Sequence, residues 1–201
     1  MGKTVLIAEK PDQAKSFYLP LLERISGERF EKKNGYFESK GFFLTWFFGH
    51  LLEQLKPDEY NEKYKEWKIE DLPIIPDKMV YKYKGSGHKK QGQLILELCQ
   101  KSDEIICGTD PDREGQGIFD TFARYYKLSK PTKRLWATSL TEKDLLKAWS
   151  KMKEMKEYNL LSIARELRAD SDWLVGMNAS RAYSIIGKGN LPIGRVLTAT
   201  L

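Results

Sequence analysis

The sequence is poor in cysteine and has no long apolar segment. Cys99 and Cys107 are its two cysteines among 201 residues, and neither belongs to a CxxC pair or a Cys/His ligand set. A disulfide framework and a zinc site are therefore not expected, and a reducing compartment fits. No apolar run approaches the roughly 20 residues of a membrane-spanning helix, and no signal-peptide core follows the N-terminus. We expect a soluble, cytoplasmic protein that does not enter the membrane.

A phosphate-binding loop of the GxxxxGK[ST] type is also absent, so nothing in the sequence implies ATP. Basic residues outnumber acidic ones by 34 to 28, which gives a net charge of +6 and a pI near 9.1. This charge favours a polyanionic partner, although a protein that is simply basic and soluble is equally compatible with it. Hydrophobic residues make up 41% of the chain, which is enough for a packed core.

Short apolar runs alternate with helical patterns through the first three quarters of the chain. The predicted strands are Thr4 to Ala8, Phe42 to Phe48, Glu104 to Cys107 and Arg134 to Ala137. The predicted helices are Pro11 to Leu19, Lys89 to Gln100, Glu114 to Tyr126 and one that opens at Thr141. Pro20 is expected to end or kink the first of them. This alternation predicts an α/β fold with a mostly parallel sheet flanked by helices.

Two segments depart from this alternation. Residues Pro57 to Tyr83 are rich in charge, proline and aromatics, and we expect an excursion with local packing of its own. From Tyr158 to Ile186 the pattern becomes that of one or two long helices, with leucine and isoleucine at helical spacing. The change predicts a boundary near residue 155, with one domain over residues 1–155 and the helical start of a second over residues 156–201.

Three acidic residues alternate directly after a buried strand. Asp110 and Asp112 point the same way if the backbone there is extended, and Glu114 follows them. Ligands bind at the carboxyl ends of the strands of a parallel sheet, and gathered carboxylates repel one another unless a cation relieves them. Mg²⁺ is the natural cation for such a set. The alternative is an ordinary acidic turn.

Glu9 and Lys10 follow the first strand, at the same predicted edge of the sheet. Glu9 can act as an acid or base on a leaving oxygen if no metal holds it, and Lys10 can hold a phosphate. Gly115 and Gly117 at the start of a helix allow close approach of backbone. The competing interpretation of Glu9 is a helix-capping residue. From the residues alone, the prediction stops at a possible Mg²⁺ site.

The motifs themselves are similar to those of a known family. Ala8-Glu9-Lys10-Pro11 together with Thr109 to Gly115 (TDPDREG) resembles the Toprim domain. Further stretches resemble type IA DNA topoisomerases of the topoisomerase III kind: Phe48 to Leu51, Asp71 to Pro76, Arg134 to Trp136, Asp172 to Asn178, Ser180 to Ala182 and Gly194 to Val196. The resemblance spans essentially the whole chain. It implies a Rossmann-like Toprim fold followed by the truncated start of a helical DNA-binding domain.

The resemblance also implies roles for individual residues. It assigns Mg²⁺ to Asp110, Asp112 and Glu114. It makes Glu9 the acidic residue at the cleavage site, Lys10 its phosphate-contacting neighbour, and Arg113 a residue that orients carboxylates or touches DNA. Arg181 and Arg195 match positions near single-stranded DNA, and Arg168 adds positive charge to the same segment, so all three are predicted to bind DNA.

The chain departs from the family at several positions. Gln116 stands where the family usually has glutamate, and Leu197 where it has a DNA-contacting glutamine. None of the ten tyrosines lies in the context of the family's strand-cleaving tyrosine. The resemblance therefore implies the N-terminal part of a topoisomerase that relaxes or decatenates DNA by Mg²⁺-dependent, ATP-independent cleavage and religation of one strand.

We expect the chain alone to be inactive and monomeric. Its expected partners are single-stranded DNA and the missing C-terminal topoisomerase domains. Two other functions are compatible with the motifs. One is a Toprim nuclease that hydrolyses DNA through metal-activated water, and the other is a non-catalytic DNA-binding module.

An aromatic cluster and a basic segment allow two interpretations each. The rings of Phe42, Phe43, Trp46, Phe47 and Phe48 can stack on bases, but their strand spacing favours core packing. His88 lies in a basic segment, Gly85 to Lys90, that we expect to be a solvated loop; phosphate contact is the alternative. His50 is as compatible with a structural role as with a functional one.

Overall fold

The computed structural model of the chain describes residues 2–194 and residue 198. The strands of this part are β1 (Lys3–Ala8), β2 (Glu31–Lys33), β3 (Tyr36–Glu38), β4 (Phe42–Trp46), β5 (Leu52–Gln54), β6 (Tyr81–Tyr83), β7 (Ser102–Gly108), β8 (Thr132–Arg134) and β9 (Lys153–Glu154). The α-helices are α1 (Pro11–Gln13), α2 (Leu19–Ser26), α3 (Pro57–Tyr60), α4 (Ser86–Lys101), α5 (Arg113–Tyr125), α6 (Glu142–Ser150) and α7 (Asn159–Ile186).

The main sheet has seven strands in the order β2-β3-β4-β1-β7-β8-β9. Its four central strands, β4, β1, β7 and β8, pair in parallel, and β2, β3 and β9 add antiparallel pairs at the two edges. The predicted mostly parallel sheet flanked by helices is confirmed. β5 and β6 form a separate two-stranded sheet.

Burial explains why these elements form. In β1, Val5 to Ala8 are fully buried, as a central strand covered on both faces requires. α4 buries Ile95, Leu98 and Cys99, and α5 buries Ile118, Phe119 and Phe122, in each case at helical spacing. α6 begins after Thr141, where the sequence predicts a helix to open, and the hydroxyl of Thr141 accepts a hydrogen bond from the backbone N–H of Asp144.

Two local features differ from expectation. Of the two outcomes expected at Pro20, an end of the helix is wrong, because residues Ala14–Tyr18 adopt a π-helical turn and α2 continues from it to Ser26. The backbone N–H of Leu19 bonds to the carbonyl of Ala14, five residues back, and the wide turn accommodates the proline. The basic segment around His88 is likewise not a loop. It forms the first turns of α4, which begins at Ser86.

The chain clusters into two compact units, which are described separately. The first comprises Met1–Glu53 with Tyr83–Ile163, and the second comprises Gln54–Lys82 with Ala164–Leu201. The second unit holds the expected local packing of the excursion. Trp173 Nε1 donates to the carbonyl of Leu55 (2.9 Å), and the side-chain oxygen of Asn178 accepts from the backbone N–H of Ile74 (2.6 Å). The division into residues 1–155 and 156–201 stays a prediction.

The predicted long helix is confirmed as α7, but its apolar positions are not all covered. Leu160 is 82% exposed and Leu167 is 62% exposed. Among the described residues, no helix is long and apolar enough to span a membrane.

Candidate active site

Glu9 and Asp110 follow neighbouring strands at the same edge of the sheet. β1 and β7 are parallel with Ala8 opposite Gly108, so the residues that follow both strands emerge side by side. The Glu9 carboxylate accepts a hydrogen bond from the backbone N–H of Asp110 (Oε2 to N, 3.0 Å). The sheet therefore brings Glu9 next to the acidic motif, as the strand pattern predicts.

Gln13 connects these two residues, and sequence reasoning missed it. Its Oε1 accepts from the backbone N–H of Glu9 (2.8 Å), and its Nε2 donates to Oδ1 of Asp110 (2.9 Å). The side chain is buried. The available signal was its position four residues after Glu9, one turn into the helix that Pro11 begins.

Lys10 lies between the two carboxylates. Its Nζ is 3.4 Å from Oε1 of Glu9 and 3.9 Å from Oδ2 of Asp110, and its side chain is 61% exposed. Both distances are longer than a tight ion pair, and the ammonium group faces solvent. Lys10 can therefore bind an incoming anionic group without first breaking a short, buried ion pair.

The segment after β7 is not extended, contrary to the expectation that alternation makes Asp110 and Asp112 converge. A tight turn is closed by the backbone N–H of Asp112, which donates to the carbonyl of Asp110 (2.9 Å). The carboxylate of Asp112 then accepts from the backbone N–H of Gly115 (2.7 Å) and caps α5. Asp112 thus faces the first turn of the helix rather than Asp110.

Gly115 explains how the helix can approach the turn so closely. A Cβ atom at this position would lie 2.2 Å from the carbonyl oxygen of Asp110 and 2.8 Å from its backbone nitrogen. Both atoms belong to the backbone and cannot rotate away. The close approach that was predicted for a glycine at the start of this helix is confirmed at Gly115.

Glu114 and Arg113 lie on the exposed side of the site. Oε2 of Glu114 is 3.6 Å from Nε2 of His50, and Arg113 is exposed. The three carboxylates of the motif thus point to three different partners. Across residues 2–194 and 198, no three His, Cys, Asp or Glu side chains are arranged to hold a metal ion.

Burial sets the acidity of Glu9. Removal from water raises the pKa of its carboxyl group above the ordinary 4.5, and the negative charge of Asp110 raises it further. The backbone N–H of Asp110 and the ammonium of Lys10 act in the opposite direction but do not cancel the rise. A carboxyl group with a raised pKa keeps its proton to a higher pH than an ordinary glutamate does, which suits an acid catalyst.

Arg134 is fully buried and holds the backbone around the site. Its guanidinium donates to the carbonyls of Cys107 (3.1 Å), Thr109 (2.8 Å), Asp110 (2.6 Å) and Leu135 (3.1 Å), and to Oε1 of Gln116 (3.0 Å). It also stacks 5.0 Å from the ring centre of Trp136. The sequence marked Arg134 only as part of a family motif, because nothing local indicates that its charge is buried.

Gln116 belongs to the same buried network. While its Oε1 accepts from Arg134, its Nε2 lies 3.1 Å from both carboxylate oxygens of Asp120. Burial raises the pKa of Asp120, whose carboxylate also accepts a hydrogen bond from Ser162. Gln116 therefore connects Arg134 to an acidic residue, and its fully buried side chain is turned away from solvent.

Two of the predicted DNA-binding arginines, Arg168 and Arg181, lie in the second unit. Arg181 is buried, donates to the carbonyl of Tyr64 (2.7 Å) and lies 5.1 Å from the ring centre of Trp67. Burial lowers its pKa. Arg168 is half-buried, and Arg195, like Leu197, lies outside the described residues. The contacts of Arg181 are structural ones, and DNA binding by these arginines stays a prediction.

The chain is similar in sequence to known proteins. A sequence profile of the Toprim domain matches residues 4–140. DNA topoisomerase 3 of Staphylococcus haemolyticus is 37% identical over 200 residues, and that of Staphylococcus saprophyticus is 38% identical over 201 residues. Each alignment covers 99% of this chain and 27% of the relative, so the chain spans about a quarter of their length.

A solved structure has the same fold. Full-length topoisomerase I from Thermotoga maritima superposes with a TM-score of 0.62 at 22% identity, over 98% of this chain and 28% of that one. Together, the profile match over most of the chain, the parallel sheet and the acidic residues at its edge identify the chain as a member of the Toprim domain family.

Proposed function

We propose that the chain is the N-terminal, Mg²⁺-binding part of a type IA DNA topoisomerase of the topoisomerase III kind. Such an enzyme relaxes or decatenates DNA by cleaving and rejoining one strand without ATP. The observation that carries the proposal is the convergence of Glu9, Lys10 and Asp110 at the edge of a Toprim sheet. Similarity to two DNA topoisomerase 3 proteins over essentially the whole chain supports it.

The oxygen donors of the acidic motif fit Mg²⁺, which takes one or two carboxylates directly and others through water. We assign Asp110, Asp112 and Glu114 as the residues that hold it. The side chains of Asp112 and Glu114 are exposed, so their oxygens can turn towards a cation that Asp110 contacts at the edge of the sheet. When bound, Mg²⁺ supplies positive charge that stabilises the phosphodiester oxygens and holds the DNA ends.

Glu9 is the proposed acid of the cleavage step. A tyrosine oxygen from elsewhere in a longer protein bonds to phosphorus, and the bond from phosphorus to the 3′ oxygen breaks. Glu9 gives its proton to that 3′ oxygen and takes it back when the strand is rejoined, while the proton of the tyrosine passes to solvent. Lys10 steadies the phosphate, and Arg113 orients the carboxylates or contacts DNA.

Single-stranded DNA is the proposed partner, bound in part by Arg168, Arg181 and Arg195, together with the remaining topoisomerase domains. The net charge of +6 supports a polyanionic partner. We further propose that the chain is monomeric and works in the cytoplasm. Two buried free cysteines, Cys99 and Cys107, are compatible with a reducing compartment.

The first test is incubation of the chain with negatively supercoiled plasmid and Mg²⁺. We expect unchanged plasmid, because the chain offers no tyrosine in the family's catalytic context. Nicked or linear plasmid that disappears in the Asp112→Asn variant would instead establish a Toprim nuclease. The asparagine can still cap α5, so loss of cleavage would report the missing charge rather than an unfolded helix.

The second test is a chimera in which this chain replaces the matching 200 residues of the Staphylococcus haemolyticus DNA topoisomerase 3. We expect Mg²⁺-dependent relaxation of plasmid by the chimera, and its loss in the chimera that carries Asp112→Asn. A folded chimera that binds DNA but never cleaves it would favour the non-catalytic DNA-binding module.

A further inference from the structure

Phe48 differs from the aromatic residues before it. Phe43, Trp46 and Phe47 are buried, as the core-packing interpretation predicts, whereas Phe48 is 45% exposed. β4 ends at Trp46, and Phe47 and Phe48 continue the chain beyond it with different surroundings. The ring of Phe47 packs in the core against Phe122, with 5.3 Å between ring centres. Core packing therefore explains Phe47 but does not explain the exposed ring of Phe48.

Trp46 and Phe48 line an open cavity of approximately 700 Å³. Lys15, from the turn after α1, and Lys90, from the first turns of α4, line it as well. The ammonium group of Lys15 lies 5.9 Å from the ring centre of Trp46. Glu97 is the one acidic residue of the lining, so the cavity carries a net positive charge.

The cavity borders the candidate active site. The backbone N–H of Gly49, directly after Phe48, donates to the carbonyl of Glu9 (3.2 Å). In the sheet, β1 lies between β4 and β7, so the cavity is on the β4 side of Glu9 and the acidic turn is on the β7 side. A phosphodiester held at Glu9 and Lys10 therefore has the cavity on one side and Asp110 on the other.

The chemistry of the cavity suits a nucleotide. An exposed aromatic face stacks on any nucleobase, because every base has a π-face, and lysines contact the phosphates that flank it. His88 meets the ring of Phe48 edge-on, with 6.2 Å between ring centres and 85° between planes. A contact with nearly perpendicular planes occupies at most one face of the Phe48 ring, so the other face can stack on a base.

We propose that this cavity is a nucleotide subsite of a single DNA strand. The base next to the phosphodiester at Glu9 stacks on Phe48, and Lys15 and Lys90 hold its flanking phosphates. The proposal rests on the DNA function proposed above and specifies one part of its substrate site.

The test uses short single-stranded oligonucleotides with the fluorescent base 2-aminopurine at successive positions. We expect quenching by the chain at one position, and removal of that quenching by Phe48→Ala with about a tenfold loss of affinity, within the range for one stacked base. Phe48→Trp should retain both. Phe17→Ala is the matched control, because Phe17 is 36% exposed and does not line the cavity.

The lysines are tested through the salt dependence of binding. The double variant Lys15→Gln, Lys90→Gln should lower the slope of log affinity against log salt by about 0.7 for each phosphate that the protein no longer neutralises. The control is the double variant Lys32→Gln, Lys40→Gln. Both lysines are exposed and do not line the cavity, so this variant should leave the slope of log affinity against log salt unchanged.

Three outcomes would overturn the subsite. If the chain binds oligonucleotide and Phe48→Ala binds and quenches equally well, the subsite is wrong while the DNA function stands. If a free deoxynucleoside monophosphate binds better than the oligonucleotide, the occupant is a free nucleotide rather than a strand. If the unmodified chain binds no oligonucleotide at all, the subsite and the DNA function fail together.

Discussion

The two sides of the acidic site differ in how firmly their carboxylates are held. On the sheet side, Glu9 and Asp110 are linked by a hydrogen bond, and Gln13 bonds to both. The buried guanidinium of Arg134 donates to the backbone carbonyls of Thr109 and Asp110 in the same turn. On the helix side, Asp112 has one backbone partner and Glu114 is 3.6 Å from a histidine, with both side chains exposed.

This difference suggests that the sheet side serves acid catalysis and the helix side serves cation binding. The sheet side is preorganised, which a catalytic acid needs if it is to meet a leaving oxygen at a defined place. The helix side keeps carboxylates that can turn, which suits a cation that binds together with its substrate. Replacements at three positions test this difference between the two sides. They are given in order of decreasing expected effect.

Replacing Arg134 should damage the sheet side most. Arg134→Met removes the donor from four carbonyls and from Gln116, and we expect a loss of about 3–5 kcal/mol in the free energy of unfolding. Arg134→Lys should rescue little of it, because one ammonium group cannot span the positions of a planar guanidinium. Urea unfolding followed by circular dichroism measures both.

Lys133→Met is the matched control on the same strand. Lys133 makes a partly exposed ion pair with Glu104 (2.8 Å), so its loss should cost no more than about 1 kcal/mol. An Arg134→Met chain as stable as the Lys133→Met chain would show that the turn after β7 does not depend on this network.

Replacing Asp112 should separate metal binding from helix capping. Asp112→Ala should lose about 1 kcal/mol of stability with the cap, whereas Asp112→Asn should lose little. Both variants should bind Mg²⁺ at least about tenfold more weakly. A loss of this size is typical even for residues that only hydrogen-bond to a metal ligand, and Asp112 is proposed to be a ligand itself. Calorimetric titration with Mg²⁺ and thermal unfolding without it measure the two effects separately.

Asp144→Asn tests whether the effect on Mg²⁺ is local. Asp144 lies at the start of another helix, α6, and its carboxylate accepts from the hydroxyl of Thr141. Its replacement should leave Mg²⁺ affinity unchanged. Normal Mg²⁺ affinity in Asp112→Asn would remove Asp112 from the proposed ligands.

The smallest expected effect concerns the pH dependence of stability in EDTA. The pKa of Glu9 is raised above 4.5 in the folded chain, so the folded state binds more protons than the unfolded state between pH 4.5 and that raised value. The contribution of Glu9 to stability is therefore full below pH 4.5 and is lost as the pH rises through the window. Glu9→Gln should be more stable than the unmodified chain at pH 8, and the gain should shrink towards pH 4.5.

Glu28→Gln should show the opposite sign. Hydrogen bonds from Ser39 and from the backbone N–H of Gly41 lower the pKa of Glu28. Its contribution is present above the ordinary pKa and is lost as the pH falls, so the glutamine variant should be the less stable one near neutral pH. Equal pH profiles for Glu9→Gln and the unmodified chain would show that Glu9 is not perturbed by its surroundings.

Most of the central sheet was predictable from local patterns. Apolar runs such as Thr4 to Ala8 and Glu104 to Cys107 mark strands that are buried on both faces, and helical spacing marks α4 and α5. Two features were not predictable in this way. The π-helical turn before Pro20 depends on hydrogen bonds along a widened turn, and the helical state of Ser86 to Lys90 depends on the packing of α4.

The site was predictable in its members but not in its geometry. The sequence placed Glu9 and Asp110 at one sheet edge because residues after parallel strands must emerge together. It did not reveal Gln13, because a bridge to Asp110 spans 97 positions. It also predicted extended backbone through Asp112, where a tight turn and a helix cap direct the carboxylate elsewhere.

The sequence by itself determined which residues are acidic, which strands are buried, and the family motifs that connect them. Those properties follow from side-chain chemistry and from periodicity along the chain. Only the tertiary structure decided that Arg134 is buried beneath the turn, that it donates to Gln116 from a neighbouring strand, and that Phe48 is exposed beside a cavity. Each of these depends on which distant segments pack together, and burial of a charge or exposure of a ring is a property of that packing.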